Sequence, residues 1–150
     1  MTTVVDGAPS AAPAKDHRAT VMSDRFRRWR ERVLPKAAYR IEPRFWTPAG
    51  IAYAKGLPPM HYATSKSFEP RVTGLAYTAR RLYLVVAAVA AGYQHVAQLI
   101  HARDLIRADP DYAEHHAKRV TLILLCDSIE PPVADFARRH RVRVITRAID

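Results

Sequence analysis

The chain has 150 residues, of which 49% are hydrophobic and 25% charged, so its composition is that of a globular protein and excludes disorder over most of its length. A single cysteine, Cys126, excludes an internal disulfide and a zinc site built on several thiolates, and fits a buried thiol in a reducing, cytoplasmic setting. The longest apolar run, residues 82–91, is half the roughly 20 residues a membrane span needs, while a formal net charge of +10 points toward a polyanionic partner.

Residues 1–21, rich in Ala, Pro, Thr and Ser, read as a disordered arm. No continuous apolar segment follows a basic start, which argues against a secretory signal. Asp6, Asp16 and Asp24 argue against a mitochondrial leader. Ser23 is a suitable N-cap for a helix over residues 24–34, which Pro35 ends. Phe26, Trp29 and Val33 share one face of that helix, and Arg25, Arg27, Arg28, Arg30 and Arg32 fan out over the others. Two uses fit this amphipathic pattern: a helix that docks by its aromatics, or one that lays its arginines on phosphate. Residues 35–67 carry five prolines and two glycines and predict an extended stretch, with one helical turn near residues 51–54 and aromatics as anchors.

From residue 71 the pattern becomes regular. Residues 72–77 and 82–86 read as strands joined by a tight turn at Thr78 and Ala79. Gly92 precedes a helix over residues 93–107, stopped by Asp109-Pro110. Residues 120–126 fit a fully buried strand, Pro131 and Pro132 open a helix through Arg139, and residues 142–145 form a last strand. The rival reading, one long helix over residues 79–107, is disfavoured by the β-forming quartet Leu82, Tyr83, Leu84 and Val85. The expected fold class is α/β (α+β): a mixed central sheet in the order β-β-α-β-α-β over residues 68–150, preceded by a basic helix and Pro-rich segment over 22–67.

The charge is uneven. Residues 15–44 hold ten basic and four acidic side chains, and residues 138–147 hold Arg138, Arg139, Arg141, Arg143 and Arg147 with no acid. Arginine outnumbers lysine 19 to 5, and its planar fork suits phosphate, although a GC-rich coding bias produces the same excess. On the helix after Gly92, Gln94, Gln98 and His101 form a polar stripe opposite Val96, Ile100 and Arg103, suited to a ligand or to solvent. His115 and His116 are adjacent, point apart in any regular element and lack a third ligand, so no metal site is assigned. No Gly-rich phosphate loop, nucleophile elbow or zinc-protease helix is present, and neither a cofactor nor a catalytic residue is assigned.

The stretch Glu69-Pro70-Arg71-Val72-Thr73-Gly74-Leu75, then residues 81–88, then Gln94 to Gln98, resembles the core of the PD-(D/E)XK nuclease superfamily with its restriction-endonuclease-like fold. That resemblance implies an Asp near the start of one strand, a Glu-x-Lys pair on the next and a Gln in the following helix, with the carboxylates holding Mg²⁺. Here Arg71, Val86 and Ala88 stand at the implied Asp, Glu and Lys positions, so the resemblance implies a core kept for binding without the metal chemistry.

The expected function is a non-catalytic nucleic-acid-binding or assembly subunit that grips DNA or RNA phosphates through Arg25, Arg27, Arg28, Arg30, Arg32, Arg71, Arg138, Arg139, Arg141 and Arg143, with Gln94 and Gln98 beside them. Two alternatives stand next to it. One is a metal-dependent nuclease using Glu69 and a distant carboxylate such as Asp104 or Asp127. The other is a structural subunit that wraps an acidic protein partner; besides nucleic acid, the partners left open are another protein or further copies of the chain in a homo-oligomer.

Overall fold

The structure is a computed structural model that describes the backbone of residues 17–146 and the side chains of residues 21–146. Most of the expected arm and Arg147 therefore lie outside the described residues. Within them the chain is an α+β protein with one mixed five-stranded sheet, β1 Ala38–Ile41, β2 Gly74–Tyr77, β3 Arg81–Ala91, β4 Arg119–Ile129 and β5 Val142–Thr146, in spatial order 1-2-3-4-5. β1, β2 and β3 form an antiparallel meander, whereas β4 runs parallel to β3 and β5 parallel to β4. The parallel pairs require crossovers, and helices α4 Tyr93–Ile106 and α5 Pro131–Arg139 provide them.

β3 and β4 are buried on both faces, which is why both read as continuous apolar runs rather than alternating ones. Leu82, Leu84, Val86, Leu122, Leu124 and Cys126 turn to the face covered by α4 and α5. Val85, Ala87, Ile123 and Leu125 turn to the other face, where helix α1 His17–Val33 lies. Small residues carry β3 on past Val86 to Ala91, farther than its β-branched segment alone predicts, because it stays paired with β4 as far as Ile129. The single-helix rival for residues 79–107 is thereby excluded.

Three expectations need correction. First, α1 begins at His17, not after Ser23; Ser23 is a buried residue inside the helix and caps nothing. Phe26 and Trp29 are fully buried and seat the helix on the sheet, but Val33 stays 52% exposed. Gly74 permits this seat, because a Cβ there would fall 2.4 Å from the Phe26 ring. Second, residues 35–67 are not an extended attachment. They contribute edge strand β1 and two short helices, α2 Pro48–Lys55 and α3 Tyr62–Lys66. Third, the sheet has one strand more than expected, because β1 extends the hairpin with Ala38 opposite Tyr77 and Ile41 opposite Gly74.

The inserted helices are tied down by polar side chains. Thr47 caps α2 by accepting the Gly50 N–H at 2.9 Å, and the Glu69 carboxylate accepts the Thr47 N–H and hydroxyl at 2.7 and 2.8 Å. Buried Asp109 accepts the Trp46 and Asp111 N–H groups at 2.8 and 2.9 Å and pairs with Lys66 at 3.2 Å. Phe45 and Trp46 are the buried anchors of this stretch, but Tyr53 is 67% exposed and anchors nothing.

Candidate functional site

A small polar cleft of about 190 Å³ opens beside the C-terminal half of β3, where α1, the approach to β2 and α4 meet. Ser23 and Met22 come from α1, Glu42 follows β1, Arg71 and Thr73 precede β2, Val86 and Ala87 lie in β3, and His95 and Gln98 come from α4. Its position follows from the topology: the meander brings residues 42 and 71 side by side, and α4 starts directly after β3.

Arg71 and Glu42 form an ion pair at its mouth. Glu42 has a left-handed backbone (φ 51) and donates its N–H to the Thr73 carbonyl at 2.9 Å, while Arg44 and Arg71 pair as an antiparallel bridge. Burial, followed by the Arg71 charge, holds the Arg44 guanidinium below its ordinary pKa. Gln98 donates from Nε2 to the Arg71 carbonyl at 2.7 Å, which fixes α4 against the start of β2. The Thr73 hydroxyl accepts the Ala87 N–H at 2.9 Å.

His95 closes the floor. Its Nδ1 accepts the Gly92 N–H at 2.9 Å, so the neutral ring carries its proton on Nε2. Burial lowers its pKa from the ordinary imidazole value, so the ring is a neutral donor at pH 7.

The structure thus gathers Arg71, Val86 and Gln98 in one cleft and places Gln94 and Ala88 in the hollow beside it, along with His95. The arginine clusters lie elsewhere. On α1, Arg25 pairs with Asp127 at 3.2 Å and Arg27 with Asp24 at 2.9 Å. Arg30 donates to the Pro35 and Ala37 carbonyls and stacks 4.3 Å from the Tyr39 ring centroid. Arg28 and Arg32 are exposed. At the β5 edge of the sheet, Arg138, Arg141 and Arg143 line an open groove of about 430 Å³ between α5 and edge strand β5. Arg138 and Arg139 both pair with Asp135, yet stay 78% and 71% exposed. Arg138 and Arg139 thus ride on α5, across the sheet from α1, whereas Arg143, opposite Ile123 in the register, stands on the α1 side of edge strand β5.

The other candidates have local partners. Glu69 holds the α2 cap, Asp127 faces Arg25, and Asp104 is exposed beside Arg103. Among the described residues, no group of three His, Cys, Asp or Glu side chains is disposed to hold a metal ion. His115 is buried against Tyr77 with ring centroids 4.4 Å apart, and His116 Nε2 contacts the Asp109 carbonyl at 2.8 Å. Burial, then the charge of Asp127, pushes the Cys126 thiol up. No helix among the described residues is long and apolar enough to cross a membrane.

Sequence reasoning missed Glu42, Ser23, Thr73 and His95. Glu42 carries the one available signal, as the sole acidic residue between Glu31 and Glu69. No protein-family model, curated protein or solved structure matches the chain.

Proposed function

We propose that the chain is a non-catalytic nucleic-acid-binding or assembly subunit with a degenerate nuclease-like core. One observation carries the reading. The cleft beside β3 gathers the positions at which the resemblance implies Asp, Glu and Gln, and they hold Arg71, Val86 and Gln98. Arg71 pairs there with Glu42, and a phosphate that displaces that carboxylate would take its place on the guanidinium. The exposed arginines flanking β5 add a second basic surface with Asp135 as the acid among them. Buried Cys126 suits the reducing cytoplasm that such a subunit would occupy.

The nuclease alternative draws less support, since Glu69 is engaged by the α2 cap Thr47 and Asp127 pairs with Arg25. Wrapping of an acidic partner draws less as well, because residues 38–66 are folded into the sheet and its insert. Filter retention of labelled duplex and single-stranded DNA and RNA at low ionic strength, with and without Mg²⁺, tests the reading. It predicts retention of intact strands. Absence of retention overturns it, and Mg²⁺-dependent cleavage transfers the site to the nuclease alternative.

A further inference from the structure

A larger and more apolar hollow, about 570 Å³, opens at the opposite end of the sheet from the cleft. One wall is the connection from α1 to β1, including Val33 and Ala38; the other is the β2–β3 turn with Tyr77 and Ala79. Val33 is left 52% exposed here, although the other large apolar residues on its face of α1, Phe26 and Trp29, are buried. The lining has two charged groups, Lys36 and Lys118, and no acid. Lys118 is held with Nζ 4.7 Å from the Tyr77 ring centroid, and burial lowers its pKa more than the field of nearby Glu114 raises it. Small-molecule sites have this character: several hundred Å³, mostly apolar, with a few placed polar groups.

We propose that this hollow binds a small amphipathic carboxylate, a medium-chain aliphatic acid whose tail lies between Val33, Ala38 and Ala79 and whose anionic head meets Lys36 and Lys118. Charge complementarity selects the head group, since Lys36 and Lys118 are the charged side chains of the lining and Glu114, whose field reaches Lys118, stands outside it. The site is separate from the cleft and does not depend on the nucleic-acid reading.

Calorimetric titration of the full chain with decanoate tests the proposal. Saturable 1:1 binding is expected, weakening about fourfold for each methylene removed from the chain. Decyltrimethylammonium, with the same tail and the opposite charge, is expected to bind at least tenfold more weakly. Ala79→Trp, a change at an exposed turn, fills the hollow and abolishes binding, and Lys118→Met weakens it at least fivefold. Failure of decanoate to saturate, equal binding of the cation, or wild-type affinity in both variants would overturn the proposal.

Discussion

Replacing Gly74 by alanine probes the seat of α1 on the sheet. A Cβ at this position lies 2.4 to 2.5 Å from Cδ2, Cε2 and Cγ of Phe26. Ordinary carbon–carbon contacts are about 3.5–4.0 Å, so the ring has to retreat by about 1 Å. It has little room to do so, being fully buried with the Trp29 and Tyr39 ring centroids at 6.3 and 6.2 Å. Overpacking of this kind costs about 1–3 kcal/mol, and the lower entropy of the unfolded alanine chain offsets about 0.4–1 kcal/mol of it. A net loss of about 1–2 kcal/mol is expected. In urea titrations followed by circular dichroism, the midpoint falls by about 1 M at unchanged slope, for a slope of about 1–3 kcal/mol/M. Phe26→Leu relieves the clash, so it costs at least about 0.5 kcal/mol less in the Gly74→Ala background than alone. An unchanged or raised midpoint, with additive single and double variants, would refute this seating of α1. With it would go the assignment of Arg28 and Arg32 to the outer face.

Other outcomes follow from local chemistry. Burial lowers the pKa of both His95 and His115 in the folded state, so the unfolded chain binds their protons more tightly. Their contribution to stability is complete above the unfolded value of about 6.5 and is lost as pH falls below it; urea midpoints measured from pH 8 to 5 should decline below pH 6.5, and less so in His95→Gln. Arg141 sits in the left-handed region with φ 59, just past α5, where glycine is the usual residue. Arg141→Gly should raise stability by about 1 kcal/mol while weakening nucleic-acid binding, a divergence read by pairing urea titration with filter retention. Cys126, buried and with its thiol pKa raised, should resist a thiol-reactive disulfide reagent in the native protein and react promptly in denaturant.

The strands and helices from Gly74 onward were legible because apolar runs, Gly92 and the prolines at 110, 131 and 132 punctuate that half of the chain. β1 was not, since Ala-Tyr-Arg-Ile is short, lies between Pro35 and Pro43, and gains its strand character from pairing with residues more than thirty positions away. Local signals also misled at Ser23. Its hydroxyl and the Phe26–Trp29 spacing imitate a helix start, but the helix continues back to His17 and the serine is buried within it. Arg71 and Gln98 were picked out and do meet at the cleft, whereas Glu42 needed the meander to bring it there. Placement of the α5 arginines across the sheet from those of α1 was invisible in sequence, because it depends on α1 covering one face and α5 the other.

The salt dependence of binding to a short labelled duplex tests the central claim most directly. Each phosphate neutralised contributes about −0.9 to the slope of log K against log salt. Arg71 in the cleft and Arg138, Arg141 and Arg143 in the β5 groove, at one phosphate each, predict a slope of about −3.6. Arg71→Glu and Arg143→Glu should each make that slope shallower by about one unit. Absence of binding at low salt, or a slope that neither variant changes, would contradict the account.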